Sequence, residues 1–241
     1  MTLCFFLIAL IYSSAGFGGG SMYLALLSWV SPEHGVINKT NGLICNTAVT
    51  AQGSWQWTKQ YKAVIIEGWP ILLISALSCS TTAYFFRNEG VVQWIMSLAL
   101  ILAGLAILIQ DHIRPWHAPI HHMVLLFISG LIGILAGLTG IGGGIYLSPI
   151  LHLGQWKETK SIATLCSMLI LVNSTISLFI LLFLTGFDYH NIQWSLPVAA
   201  LIGGFIGSKT GIQWLSLKQI KWITALILVA VGSQFIWTAI R

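Results

Sequence analysis

Apolar residues fill this chain in eight long blocks, at residues 2–30, 36–57, 63–86, 90–110, 121–151, 160–186, 191–215 and 218–240. Polar residues gather in the short connections and in thin stripes inside the second and sixth blocks. A hydrocarbon layer about 30 Å thick takes roughly 20 apolar residues per helix, so each block is long enough to cross it. The pattern predicts an all-α polytopic membrane protein with eight hydrophobic helical segments. The first and fifth blocks stand apart. A helix of about 30 residues runs about 45 Å, too long for an untilted crossing, and each of these two carries a glycine cluster at its middle.

The two clusters are related. "SSAGFGGGSMYLALLSW" (13–29) and "AGLTGIGGGIYLSPIL" (136–151) place Gly18, Gly19 and Gly20 124 residues before Gly142, Gly143 and Gly144. The same offset carries Thr40 onto Thr164, and Pro70 and Pro197 fall close to it. Two homologous repeats follow, at 1–110 and 121–241, joined by a connecting loop at 111–120. Small residues four apart follow each proline: Ser75, Cys79 and Ala83, then Gly203, Gly207 and Gly211. Such stripes let helices pack closely in lipid. Paired repeats are a common plan for transporters, with substrate bound at the repeat interface.

Composition removes the soluble alternative. The chain has 241 residues, 56% of them apolar and only 7% charged, with mean hydropathy +0.87. Soluble domains carry about a quarter charged residues. The net charge of +5 reads as cytoplasmic Lys and Arg, and no basic run is long enough to engage nucleic acid. Charge also bears on the long blocks, which are either single broken spans or pairs of half-helices folded into hairpins. With Lys39 set aside, eight crossings divide Lys and Arg 4 against 6. Two hairpins leave Arg87 and Arg241 alone against the other eight. The second division obeys the positive-inside rule better. It inverts one repeat relative to the other, and either division puts both termini outside the cytoplasm of a cell (inner) membrane protein.

Unwound backbone is tolerated at membrane depth only where it is buried in protein or lines a cavity. The half-helices beginning after Gly20 and Gly144 point their first N–H groups at the breach, and a helix N-terminus attracts anions without a basic side chain. Gly18, Gly19, Gly20, Gly142, Gly143 and Gly144 are therefore candidate binding residues for a small anion. The competing reading is helix packing, since glycine is common in transmembrane helices. No Lys-Ser or Lys-Thr follows either cluster, which excludes a nucleotide loop. Polar stripes supply candidate side chains, Thr40, Asn41 and Asn46 in the second block and Thr164 and Ser167 in the sixth. Asn173 and Ser174 lie in the same sixth-block stripe. Intramembrane ionisable residues are functional candidates: Lys39 draws in the anion and Glu67 carries a coupling proton, unless either snorkels to an interface. Cys4, Cys45, Cys79 and Cys166 lack ligand spacing and read as packing residues. His112, His117, His121 and His122 match no compact metal motif. They read as a solvated connection, and no metal or cofactor is expected.

The paired "GFGGG" and "GIGGG" motifs, the second continuing as "IYLSPIL", resemble the TauE/SafE sulfite exporter family over the whole chain. The threonines at 40 and 164 fit its pattern. The resemblance implies a secondary transporter, not an enzyme, that exports sulfite, an organosulfonate or a related organic acid without an ATP-binding domain. Its partners are then a small anionic substrate and the lipid bilayer, and a homo-oligomer is compatible with it. The first repeat departs from the family with Ala25 where proline is frequent and with an Asn-rich second helix, which makes it the place for a different specificity. Two other classes stay open: a membrane-embedded metal protein or enzyme built on the histidines, and a structural subunit whose glycines only pack helices.

Overall fold

The computed structural model describes residues 1–31, 34–85, 101–102, 105, 121–186 and 192–240. All but three residues of the fourth predicted segment lie outside that set. So do the 111–120 connection with His112 and His117, residues Arg87, Arg114 and Arg241, and the boundary between the predicted repeats. Nine helices are numbered here among the described residues: α1 (Thr2–Ser14), α2 (Gly20–Val30), α3 (Gly35–Gln60), α4 (Lys62–Phe85), α5 (His122–Thr139), α6 (Gly144–Leu153), α7 (Thr159–Thr185), α8 (Ser195–Gln213) and α9 (Leu217–Ile240). Four of them, α4, α5, α7 and α8, are long and apolar enough to cross a membrane. At 26 residues α3 is long enough, but its polar stripe lowers its hydropathy.

The first predicted segment is a helical hairpin. Phe5 on α1 stacks on Tyr23 of α2 with ring centroids 4.6 Å apart, and Gly19 sits against Ile8. The fifth segment doubles back in the same way, with Gly143 against Ile132 and Ala136 of α5. Left-handed glycines make both bends. Gly16 (φ 84) follows α1 and Gly140 (φ 73) ends α5, while Gly19 (φ 90) and Gly143 (φ 81) start α2 and α6. Each pair keeps the 124-residue spacing. At 11 and 10 residues, α2 and α6 run only about 15 Å, short of a crossing.

Contact register fixes the relative directions. Gly203, Gly207 and Gly211 of α8 rest on the carbonyls of Phe6, Leu10 and Ser14, so α8 runs parallel to α1. Gly133 and Gly137 of α5 rest on Ser75 and Cys79, so α5 runs parallel to α4. The small-residue stripes are thus the seams of these two helix pairs. Parallel pairing also joins α3 to α8, through Val49 on Gly204 and Gln52 on Ser208, and α4 to α7, through Ser75 with Asn173 and Cys79 with Ser177. By contrast, α3 and α7 are antiparallel: Asn46 meets Ser174 and Ser54 meets Ser167. Exchanging α1 with α5, α2 with α6, α3 with α7 and α4 with α8 turns this set of pairings into itself.

These directions sort the charges. Lys59, Lys62, Lys157, Lys160, Lys209, Lys218 and Lys221 all fall toward one face, at the end of α3 and α8, the start of α4, α7 and α9, and the α6–α7 turn. Among described residues Lys39 alone of the lysines approaches from the other side. Exposed tryptophans flank both faces, with Trp55, Trp69 and Trp214 near the lysines and Trp29 and Trp194 opposite. Aromatic residues take such positions at membrane–water boundaries.

Candidate functional site

Both glycine breaches are buried, over residues 12–19 and 140–149, which keeps their irregular backbone out of lipid. They meet at the middle of the α3–α7 contact. The Gly20 N–H donates to Asn46 Oδ1 at 3.0 Å, and Asn46 Nδ2 donates to Ser174 Oγ at 2.7 Å. Ser174 Oγ then lies against Gly142, where an added Cβ would stand 2.6 Å from it. From the same turn of α7, Asn173 Nδ2 donates to Gly142 O at 3.1 Å and to Ser75 Oγ at 2.8 Å. Side chains leave no slack, since a Cβ on Gly18 would collide with Asn46 Oδ1.

Chemically, this junction offers uncharged donors and two helix N-termini. The first amide of α2 already has an oxygen acceptor, the carboxamide oxygen of Asn46. That is the position where a helix start favours an anionic oxygen.

The other sequence-derived residues are spread along the α3–α7 pair. Ser167 Oγ lies 3.1 Å from Ser54 Oγ, on the lysine side of the junction. Thr40 and Thr164 are not brought together. Equivalence under an antiparallel exchange puts them at opposite ends, about 24 Å apart along the helices, and the sequence reading that set them around one anion is corrected accordingly. Each hydroxyl donates to the carbonyl one turn back, Thr40 to Val36 O and Thr164 to Lys160 O, at 2.9 Å. Thr40 and Asn41 line a cavity of about 210 Å³ with Val36, Ile37, Leu182, Thr185, Gly186 and Ile192. This cavity opens on the face away from the lysines. Asn41 Oδ1 accepts from the Gln193 N–H at its edge.

Lys39 is not among the residues lining this cavity; it turns to the end of α5, donating to Leu138 O at 3.3 Å with its side chain laid over Gly140. An ammonium at a helix C-terminus is favourable, and here it ties α3 to the second hairpin. Glu67 stands elsewhere. Its carboxylate pairs with Lys157 at 2.5 Å, and the side chain is 53% exposed. It belongs to the lysine face, not to the junction. On the same lysine face, Glu158 sits beside Tyr61, and partial burial together with that carboxylate holds the Tyr61 hydroxyl above its usual range.

Of the histidines, His121 caps α5, accepting from Met123 N–H through Nδ1 at 3.3 Å. No three His, Cys, Asp or Glu side chains gather among the described residues. His152, which the sequence reading passed over, is 4% exposed at the far end of α6. Its signal in the sequence is a lone ionisable residue in the apolar stretch "GIYLSPILHL".

Comparison with known proteins adds the family. The model of the family described as "Sulfite exporter TauE/SafE" matches residues 1–235. The chain belongs to that family. This TauE/SafE protein is similar to the "Probable membrane transporter protein y4hK" of Sinorhizobium fredii (strain NBRC 101917 / NGR234), at 26% identity over 98% of this chain and 97% of the relative. No solved structure matches the TauE/SafE chain. As a member of a transporter family, it is a multi-pass membrane transporter and not an enzyme.

Proposed function

We propose that this transporter is a secondary exporter of a small anion, with sulfite, an organosulfonate or a related organic acid as the substrate class. The anion passes between the two glycine bends, where Gly18–Gly20 and Gly142–Gly144 flank the Asn46–Ser174 contact. The observation that carries this reading is the hydrogen-bonded link from Gly20 through Asn46 to Ser174, whose hydroxyl packs against Gly142. It sets two helix N-termini at one level of a two-fold related helix pair. Midplane sites at broken helices are the general design of secondary transporters.

The lysine face is cytoplasmic, which follows from the positive-inside bias, and both termini are non-cytoplasmic. Residues 1–110 and 121–241 form two inverted repeats. Lys39, held at the second glycine bend, attracts the anion from the face opposite the other lysines. Thr40 and Asn41 line the outer approach, and Thr164 and Ser167 line the approach from the cytoplasm. The test is flux in proteoliposomes with a panel of labelled sulfite, sulfonates and carboxylates. Saturable transport of one of these anions is expected, and no flux of any member would end the anion reading.

A further inference from the structure

Building on the transporter reading, we infer that His152 is the proton-binding residue that couples the gating of this protein to pH. Among the described residues His152 is the one His, Lys, Asp or Glu side chain that is buried in full. It sits on α6, the half-helix that begins at the Gly143 bend. A protonation event on this helix therefore acts on the same rigid element that forms the anion junction, about 12 Å away along the helix. Glu67 has neither property, being exposed and paired on the lysine face.

Ring geometry assigns the proton chemistry. His152 Nδ1 lies 2.8 Å from Ser148 O and 3.3 Å from Ser148 Oγ. A carbonyl only accepts, so Nδ1 carries the hydrogen in this bond and Nε2 is the basic atom of the neutral ring. Uptake of one proton from cytoplasmic water at Nε2 gives the imidazolium, and its release to water restores the neutral ring.

The charged and titratable groups around the ring come from α9 and α7. Lys221 of α9 acts on it electrostatically. The Cys166 thiol of α7 is set against Ser148. On α5, no ionisable residue follows His122, and the Glu158 carboxylate accepts from Ser161 at the α7 start. A buried cation facing an ammonium is costly. Protonation therefore favours an arrangement in which water reaches this end of α6. Opening the lysine face in this way closes the opposite cavity around Thr40 and Thr185.

The test uses a reporter in that cavity, Thr185→Cys with Cys4→Ser, labelled by a membrane-impermeant maleimide with both sides of the vesicle buffered alike. Burial, and the Lys221 ammonium facing it, move the titration of His152 below that of a free imidazole, so the scan runs from about pH 7 down to about pH 4. Over that range acidification should slow labelling several-fold more in the His152 protein than in the same protein carrying His152→Gln. Intrinsic thiol reactivity cancels between the two. In parallel, liposomes holding a trapped pH dye receive labelled 2-hydroxyethanesulfonate, an anion whose charge is constant over this range. Flux in the parent should move protons, and flux in His152→Gln should not. Identical labelling profiles with and without His152 would overturn the inference. So would a variant whose flux is lowered equally at every pH, the mark of a structural role. A pH-dependent labelling profile with no sulfonate flux in the parent would support the switch while counting against the substrate class.

Discussion

The two ends of the α3–α7 pair carry equivalent residues in different surroundings. At one end Thr40 and Asn41 face a cavity of about 210 Å³. At the other, Thr164 is 0% exposed and sits among Ile162, Ala163 and Leu165, all buried. Lys160 closes that end by donating to Ile212 O at 2.7 Å, which bolts α7 to the last turn of α8. Two sets of helices with the same pairing plan thus hold two shapes at once. Such asymmetry is what alternating access needs, because exchanging the shapes of the repeats exchanges the open face. The comparison also says which contacts must break: Lys160 with α8 on the lysine side, and the Asn46–Ser174 contact at the centre.

The largest effects should come from the bends themselves. Gly143→Val puts a β-branched residue at φ 81 with its Cβ 2.8 Å from Ile132 Cγ2. Strain of about 1–3 kcal/mol at the gate lowers anion flux roughly ten- to a hundredfold, and Gly19→Val at φ 90 does the same in the other repeat. Proteoliposome flux measured beside an unchanged gel-filtration profile checks both. Equal flux in all three proteins would detach transport from the bends.

Asn46→Ala comes next. It strands the Gly20 N–H and the Ser174 hydroxyl at a cost of about 1–3 kcal/mol. A lowered melting temperature in detergent together with reduced flux is expected. The second hairpin supplies the contrast, since its bend is held from α7 by Asn173 and should survive this change.

Lys39 and Lys160 sharpen the comparison of the two ends. Lys39→Met removes the one described lysine on the cavity's side of the molecule, the ammonium held at the end of α5, so the anion KM should rise several-fold and lose much of its salt dependence. Lys160→Met removes a helix-end contact on the closed side. It should shift the equilibrium toward cytoplasmic opening, read as faster labelling of Thr164→Cys, with little change in KM. Smallest of all is Glu67→Gln. An exposed ion pair contributes about 0–1 kcal/mol, so flux and its pH profile should match the parent.

Much of this was legible in the chain. The glycine clusters disclosed both bends because only a residue without a Cβ accepts those backbone angles, and the spacing of 124 paired them. The lysine count favoured hairpins, and Phe5 on Tyr23 shows the first of them directly. What the spacing hid was proximity. Residues at equal offsets are equivalent, yet in an antiparallel pair equivalent residues away from the centre are far apart. Thr40 matched Thr164 in sequence and lies at the other end from it. Asn46 finds its contact in Ser174, which equivalence alone does not pick out. Glu67 read as intramembrane from its apolar neighbours, but its place in the second turn of α4 brings it to Lys157. His152 gave no periodic signal, because what singles it out is burial.

The most direct test follows Thr40→Cys and Thr164→Cys, each with Cys4→Ser, as the transported anion is added to one protein population. Without anion, Thr40→Cys should react with a maleimide supplied on the face opposite the lysines, and Thr164→Cys should stay unreactive. With anion, Thr164→Cys should become reactive from the lysine face while Thr40→Cys slows in proportion. Simultaneous labelling of both positions, or changes at one end that leave the other untouched, would contradict a single passage with two alternate mouths.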